Sequence, residues 1–350
     1  MTDKYKILYV VKERDLQSPT STEVNNLYAA MERGHDPYIV FPQDFFVDKG
    51  ELKVIGRRPN AIKLRDIFEY QHYLETRLTL NDDRIPVSEF DIVFSRSVPV
   101  VQEERGTDEA TLTYLKSMKT MYPNVAFIND PDAISRAGSK IYDSVVLSEF
   151  TPVTHVTKDE RRLTGILMSG TNWIAKPLDE LGGVGIIGID EGQYNRRNIT
   201  PFLQILLRDP SSSTAGTRPY VIQGAVEGLE RRLVVLGGEL LTSFGKIPDD
   251  DDQRANVNTG AKFIPFEPQQ GDLELVEKMS PLLVKEGLHL VALDVIGPEK
   301  DGTLEYTKLI ELNARCPQWQ VGLVSQTEAF DIANKVIEYS EKLYREINGK

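Results

Sequence analysis

V-A-L-D-V-I-G at residues 291–297 and K-L-I-E-L-N-A-R-C-P at residues 308–317 decide the fold of this chain. Each begins with a short apolar run bounded by glycine, proline or charge, which predicts two buried strands. The polar turn at residues 298–302 joins them into a hairpin. Because strand side chains alternate between faces, we expect Asp294 to share a face with Glu311 and Asn313 of the neighbouring strand.

Those three side chains predict a metal site. Carboxylate and amide oxygens without a neighbouring His or Cys are typical of Mg²⁺ held against phosphates, with Mn²⁺ as the alternative ion, rather than of zinc. The alternative for the same residues is a strand pair that ends in satisfied polar side chains and binds nothing.

Composition limits the classes of protein. A chain of 350 residues is too long for one core and predicts two or three domains. Its 41 basic and 53 acidic residues give a net charge of −12, which argues against a nucleic-acid surface. The single cysteine, Cys316, excludes an internal disulfide and a thiolate metal cluster. With no signal-peptide pattern and no apolar run of ~20 residues, we expect a cytoplasmic protein without a membrane partner.

The first 128 residues alternate between strand and helix signals, which predicts a doubly wound α/β domain. A strand at 6–11 precedes a helix with a capping box of Thr20 and Glu23. A later strand at 92–95 carries Arg96 at its C-terminal end, where open α/β sheets bind ligands. Arg96 is therefore a candidate anion contact, and a surface ion pair is the alternative.

The letters G-V-G-I-I-G at residues 183–188 imitate a dinucleotide-binding turn, but the residues after them are β-branched and predict a strand instead of the required helix. We therefore predict a hairpin lid with its tip at residues 179–183, whose glycine amides cradle phosphates. Lys176 reaches the same phosphates from the strand before the tip. A plain hairpin with a surface lysine is the alternative.

The remaining signals predict a strand at 220–223, a hairpin of 230–236 and 239–244 over two glycines, and a last helix from about 328 to 347. The acidic run at residues 249–252 predicts a solvated loop. We expect domains at 1–128, 129–219 and 220–350.

Six motifs in this order resemble the ATP-grasp superfamily, and within it the glutathione synthetase-like carboxylate–amine ligases. They are F-I-N-D-P-D-A-I with the later Lys140, I-A-K-P-L-D-E-L-G-G-V-G-I, V-I-Q-G with E-R-R-L-V-V-L-G-G-E, R-A-N-V-N-T-G-A, A-L-D-V-I-G and I-E-L-N-A-R-C-P. The resemblance implies an α/β fold: the N-terminal doubly wound domain, then two α+β subdomains that hold the nucleotide.

The resemblance also implies roles for individual residues. The implied ATP contacts are Lys140, Lys176, Gly182, Gly183, Gln223, Gly224, Ala225, Val226 and Glu230. The implied Mg²⁺ ligands are Asp294, Glu311 and Asn313. The implied catalytic residues are Arg232, Arg254, Asn256 and Arg315, with Arg96 near the substrate.

A family member of this kind forms an amide or peptide bond: ATP converts a carboxylate into an acyl phosphate, and an amine displaces phosphate. We therefore expect small-molecule carboxylate and amine substrates and a homo-oligomer, either a dimer or a tetramer. Two alternatives remain: a ligase for a different amino acid or peptide, and a catalytically inactive nucleotide-binding relative.

Overall fold

The protein is described from a computed structural model that covers residues 3–17, 21–59, 82–97, 105–178, 185–195, 198–207, 219–248, 262–319 and 326–350. The described residues form three sheets flanked by helices. The helices are α1 (Thr22–Glu32), α2 (Arg105–Met121), α3 (Pro131–Ala137), α4 (Lys140–Val146), α5 (Glu160–Leu167), α6 (Ile199–Leu206), α7 (Gln270–Lys285) and α8 (Gln326–Ile347).

The N-terminal sheet has the order β3-β4-β2-β1-β6-β7, with β5 paired to β4. Its strands are β1 (Lys6–Val10), β2 (Asp36–Val40), β3 (Phe45–Asp48), β4 (Glu51–Arg57), β5 (Asp82–Pro86), β6 (Ile92–Ser95) and β7 (Ala126–Ile128). The four strands β2, β1, β6 and β7 run parallel and are covered by helices on both faces, which confirms the doubly wound prediction. The sequence did not predict the antiparallel extension through β5.

Helix α1 begins one residue later than the predicted capping box requires. Ser21 is the N-cap, and its Oγ accepts a hydrogen bond of 3.1 Å from the Val24 amide. Glu23 therefore does not occupy the third helical position, where a capping-box glutamate reaches back to the cap. The capping role predicted for Glu23 is wrong, because its carboxylate binds Arg96 instead. Thr20 lies outside the described residues.

The middle sheet is antiparallel and has the order β10-β9-β11-β8. Its strands are β8 (Thr154–Thr157), β9 (Trp173–Pro177), β10 (Ile187–Ile189) and β11 (Tyr220–Gly224). Because β10 pairs antiparallel with β9, the glycine-rich segment joins the two strands of a hairpin. It does not join a strand to a helix. That pairing confirms the rejection of a dinucleotide-binding turn. Helices α5 and α6 cover one face of this sheet, and the other face carries the polar side chains described below.

The C-terminal sheet is antiparallel and has the order β14-β13-β12-β15-β16. Its strands are β12 (Leu229–Leu236), β13 (Glu239–Ile247), β14 (Lys262–Pro265), β15 (Leu290–Gly297) and β16 (Lys308–Asn313). The turn between β12 and β13 uses Gly237 and Gly238 at φ 60° and 90°, which confirms the predicted hairpin. Pairing of β15 with β16 confirms the hairpin that opened the sequence argument. Helix α7 covers one face.

Helix α8 returns to the N-terminal sheet. This helix, predicted from about residue 328 to 347, has a buried apolar stripe: Ala333 and Val336 belong to the same hydrophobic cluster as Leu27 of α1 and Ile7 of β1. At the polar edge of this contact, Glu341 of α8 binds Arg33 at 2.6 Å. The apolar face of α8 is thus covered within the chain. The domain boundaries expected after residues 128 and 219 stay predictions. In the described part of the chain, no helix combines the length and apolarity of a membrane span.

Candidate active site

Three neighbouring strands of the C-terminal sheet place charged side chains on one face. Register pairs Arg232 of β12 with Asp294 of β15, and Asp294 with Glu311 of β16. Arg232 donates two bonds of 2.7 Å, from Nε to Oδ1 and from Nη2 to Oδ2 of Asp294. Asn313 Nδ2 donates to the same Oδ2 at 3.0 Å. The structure therefore brings together the four residues that the sequence placed here.

Lys246 of β13 completes this group, which we call the Asp294 cluster: Glu230, Arg232, Lys246, Asp294 and Asn313. Its Nζ lies 3.0 Å from Asp294 Oδ1 and 2.7 Å from Glu230 Oε1. Sequence reasoning missed Lys246, although strand alternation from Phe244 would have placed its side chain on this face.

The cationic side chains set the charge of the two acids. Burial by itself raises the pKa of Asp294, but Arg232 and Lys246 outweigh burial and hold that pKa well below its usual range. Asp294 is therefore an ionised carboxylate. Burial raises the pKa of Glu230, and Lys246 offsets part of that rise.

The middle sheet presents a second polar row. Lys176 of β9 is 8% exposed, and its Nζ donates to Gln223 Oε1 of β11 at 2.8 Å. Gln223 Nε2 in turn donates to Thr154 Oγ1 of β8 at 3.3 Å. Burial lowers the pKa of Lys176, while the carboxylates of Glu311 and Glu230 act in the opposite direction. Both acids belong to strands of the C-terminal sheet, so charges on that sheet act on Lys176 of the middle sheet.

Helix α4 contributes a further acid beside β16. Asp143 Oδ2 accepts a hydrogen bond of 3.3 Å from the Leu312 amide, between Glu311 and Asn313. Burial, with a smaller contribution from the Glu311 charge, raises the pKa of Asp143 to about 7. Sequence reasoning missed Asp143, although it stands three residues after Lys140, on the same side of the helix. Lys140 itself begins α4 and acts electrostatically on both Asp143 and Lys176.

The donor set at Asp294 fits a hard cation in the type of its ligands. Asp294 and Glu311 supply carboxylates, and Asn313 supplies an amide. Among the described residues, no group of three His, Cys, Asp or Glu side chains has metal-binding geometry, so the set depends on the asparagine. All of the roughly four lone-pair sites of a carboxylate are occupied at Asp294 by Arg232, Lys246 and Asn313. A cation must therefore replace at least one of these donors.

Residues 223–226, for which the resemblance implies ATP contacts, have part of their backbone engaged in the fold. The Gly224 amide donates to Val153 O, and the Ala225 amide donates to Asn172 O, both at 2.9 Å. Gly224 and Ala225 also line a cavity of about 650 Å³ with Trp173. That cavity lies on the helix-covered side of the middle sheet, opposite Lys176 and Gln223, because residues one apart in a strand face opposite ways. The ATP contact implied for residues 223–226, Val226 included, stays a prediction.

Two further arginines predicted as site residues, Arg96 and Arg315, lie in the described part of the chain and bind acids. Arg96 is 1% exposed and donates from Nε and Nη2 to Glu23 Oε1 at 3.1 and 2.9 Å. The alternative predicted an ion pair at the surface. Arg96 does form an ion pair, but the pair with Glu23 is buried. Arg315 pairs with Asp108 of α2. The predictions for Gly182, Gly183, Arg254 and Asn256, and for the acidic run at 249–252, lie outside the described residues.

Comparison with protein families shows to which family the chain belongs. The model for the prokaryotic glutathione synthetase ATP-grasp domain matches residues 139–318, just over half of the chain. The chain belongs to this ATP-grasp family. The matched range contains the Asp294 cluster together with Lys140, Lys176 and Gln223. Membership confirms the resemblance read from the six motifs and places the protein among ATP-binding ligases.

Relatives match over most of the chain. Glutathione synthetase of Bordetella pertussis is 26% identical over 320 residues, which are 89% of this chain and 91% of that protein. Glutathione synthetase of Shewanella oneidensis is 27% identical over 293 residues, 83% of this chain and 84% of that protein. Both matches extend well beyond the ATP-grasp domain into the N-terminal residues.

Solved structures confirm the fold. A peptide-associated ATP-grasp ligase of Chryseobacterium gregarium, in complex with ADP and leader and core peptides, superposes with a TM-score of 0.60 at 17% identity. It covers 95% of this chain and 97% of its own. D-cycloserine synthetase DcsG gives a TM-score of 0.59 at 14% identity, covering 95% and 99%. At these identities the likeness establishes the ATP-grasp architecture.

Proposed function

We propose that this protein is an ATP-dependent carboxylate–amine ligase of the glutathione synthetase type, which forms an acyl phosphate and releases ADP and phosphate. The observation that carries the proposal is the alignment of Arg232, Asp294 and Glu311 along one sheet, with Glu311 acting on the charge of Lys176 in the middle sheet. A row that carries both charges, together with a buried lysine, suits a polyphosphate and its counterion.

The chain's own contribution to such a reaction is positioning and charge neutralisation, since phosphoryl transfer needs little covalent help from a protein. Lys140 and Lys176 hold the phosphates from the middle sheet and α4. Arg232 and Lys246 hold them from the C-terminal sheet once they release Asp294. By resemblance we also assign Arg254, Asn256 and Arg315 to the reacting groups, Gly182 and Gly183 to the phosphate-binding lid, and Glu230 and residues 223–226 to the nucleoside.

Asp294, Glu311 and Asn313 would hold Mg²⁺, which supplies neutralisation of the triphosphate charge when bound. Arg232 and Lys246 place positive charge on Asp294. A phosphate that bound either side chain would free lone pairs of Asp294 for the ion.

The test is phosphate release from Mg-ATP in the presence of paired carboxylates and amines, beginning with γ-glutamylcysteine and glycine. Release that requires both partners supports the ligase and names its substrates. Release from neither this pair nor a panel of amino-acid and dipeptide pairs, in a protein that binds ATP, would contradict the ligase and support a nucleotide-binding relative without catalysis.

Glu311→Gln tests the metal assignment within the same assay. The variant keeps the size and polarity of the side chain but removes the negative charge, so we expect Mg²⁺-dependent turnover to fall by roughly 10²–10³. Glu305→Gln, an exposed residue in the connection before β16, is the matched control and should keep wild-type turnover. Equal rates in the two variants would refute a metal role for Glu311.

A further inference from the structure

The cavity of about 650 Å³ lies between helix α5 and the middle sheet, on the side away from Lys176 and Gln223. Helix α5 contributes Arg162, Gly165 and Ile166 to its wall. Their spacing of three and four residues puts these positions on one face of the helix. The volume falls within the range of small-molecule pockets in proteins, roughly 300–1,000 Å³. The cavity is therefore large enough to hold a small molecule.

The strands of the middle sheet form the other wall of this cavity. Val153 precedes β8 and His155 lies within it, two residues apart and thus on the same face of the sheet. Trp173 begins β9 and pairs with Gly224 of β11. Trp173 is 5% exposed, whereas Val153 is 67% exposed. The cavity thus has a buried aromatic wall and a mouth that opens to solvent.

Two glycines on opposite walls keep this space open. A Cβ atom added at Gly165 would meet no atom outside its own helix within 4 Å, and one added at Gly224 would meet only Val153 O, at 3.7 Å. Neither glycine has a positive φ, so neither backbone conformation nor close packing requires it. Gly165 also lies inside α5, where glycine is less favourable than alanine. The two missing side chains leave volume, as a ligand site requires.

The polar groups of the cavity favour an anion. Arg162 and His155 both line it, and among the residues that the structure describes neither side chain has a hydrogen-bond partner or an ion pair. The described lining residues include no aspartate or glutamate, in a chain with 53 acidic residues and a net charge of −12. A guanidinium binds a carboxylate through two parallel N–H bonds, and a neutral imidazole supplies one further donor. One guanidinium balances one negative charge, which matches a carboxylate better than a doubly charged phosphate ester.

We propose that this cavity is a second ligand-binding site, which takes a small carboxylate with an apolar body. The carboxylate group pairs with Arg162 and His155, and the apolar body packs against Trp173, Val153 and Ile166. The site is separate from the proposed ligase centre, because it lies on the opposite face of the middle sheet from the polar row that we assign to the phosphates.

The experiment titrates the whole chain, labelled with 5-fluorotryptophan, and follows its fluorine NMR signals. The chain has two tryptophans: Trp173 lines the cavity, and Trp319 lies in the hydrophobic cluster of the N-terminal sheet and serves as an internal control. Trp173→Phe assigns the two signals. The probes are 3-phenylpropionate, its neutral amide, and propionate, which lacks the apolar body. We expect 3-phenylpropionate to shift the Trp173 signal alone, to bind roughly tenfold more tightly than either other probe, and to remain bound at saturating ADP.

Three variants locate the bound probe. Arg162→Gln removes the charge at an exposed position, so affinity for 3-phenylpropionate should fall roughly tenfold, to that of the amide, while affinity for the amide stays unchanged. Arg161→Gln changes the neighbouring exposed arginine, which does not line the cavity, and is the matched control. Gly165→Leu fills the cavity from a helix position that favours leucine over glycine, and should abolish the shift with every probe.

Four results would overturn the inference. No shift of the Trp173 signal at the solubility limit of 3-phenylpropionate would show that the cavity binds no such molecule. Equal affinities for the acid and the amide, or for the acid in Arg162→Gln and Arg161→Gln, would show that the carboxylate is not recognised there. Complete displacement by ADP would place the probe in the nucleotide site instead. Binding of 3-phenylpropionate as expected by a protein that does not bind ADP would keep this site and count against the proposed ligase.

Discussion

Asp294 and Glu23 are both buried carboxylates bound by an arginine, but they differ in how fully each carboxylate is paired. Asp294 accepts from Arg232 and Asn313 and pairs with Lys246, so both of its oxygens are satisfied. Glu23 is satisfied at Oε1 only. One carboxylate is fully paired within the described protein, and the other is not.

This difference separates two kinds of buried acid. Four donors surround Asp294, so a cation or phosphate that binds there must displace an internal partner. Glu23 leaves Oε2 without a donor, and a buried acceptor without a partner is unfavourable. Removing a partner from Asp294 should therefore cost more than removing a polar group near Glu23.

The largest expected effect tests whether pairing governs stability in the C-terminal sheet. Arg231 lies beside Arg232 in β12 but faces the opposite side, where it is fully buried and binds both oxygens of Asp272 at 2.9 Å. Arg231→Met leaves the Asp272 carboxylate buried without its cationic partner. We therefore expect the free energy of unfolding in urea to fall by about 3–5 kcal/mol. Arg136→Met, which removes an exposed pair with Glu286, should cost less than about 1 kcal/mol. Similar small losses of unfolding free energy in both variants would show that pairing of a buried carboxylate does not govern stability here.

A smaller effect concerns Asp143, whose Oδ1 is buried and unpaired. Its pKa of about 7 in the folded protein lies above the ordinary value for aspartate, so the folded state retains a proton that the unfolded state has lost. Stability therefore falls as pH rises from about 5 to 8, by about 2 kcal/mol from this residue. Asp143→Asn keeps an acceptor for the Leu312 amide and should flatten this dependence, leaving the variant more stable than wild type at pH 8.

Urea unfolding of the ligand-free protein across this pH range measures the effect of Asp143→Asn. The exposed Asp331→Asn on α8 serves as the control and should follow the wild-type curve. Parallel curves of unfolding free energy against pH for Asp143→Asn and wild type would contradict the raised pKa of Asp143.

The smallest expected effect compares a buried serine hydroxyl that has no partner with a serine hydroxyl that is paired. Ser97 Oγ has no partner, whereas Ser243 Oγ donates to Phe266 O at 2.8 Å. We expect Ser243→Ala to lower the free energy of unfolding by about 1 kcal/mol and Ser97→Ala to leave it within about 0.5 kcal/mol or raise it. A loss at Ser97 as large as that at Ser243 would mean that its hydroxyl is paired in solution.

Local patterns predicted the elements well. The hairpins at Gly237-Gly238 and between β15 and β16 follow from apolar runs bounded by turn residues, and their register then fixes which face carries Asp294 and Glu311. The end of α1 fits the glycine that follows it, since Gly34 has φ 87° two residues after the last helical residue, Glu32. Its start was misplaced by one residue because Ser21 and Thr20 are equally good caps from sequence alone.

Partners distant in sequence were not predicted. Glu23 binds Arg96 across 73 residues, and Asp143 meets the Leu312 amide across 169. No periodicity or spacing links such residues, because their proximity depends on how sheets and helices pack. For the same reason the sequence located Arg96 at a strand end but not its acidic partner.

The packing of α8 on the N-terminal sheet has a consequence for synthesis of the protein. Ile7 of β1 and Val336 of α8 belong to one hydrophobic cluster, yet the ribosome makes them at opposite ends of the chain. At roughly 5–20 residues per second, tens of seconds separate their appearance. During that interval α1 covers only part of this face of the N-terminal sheet, and the part that α8 covers in the complete chain stays exposed. A chain that stops short of α8 would leave that part exposed permanently.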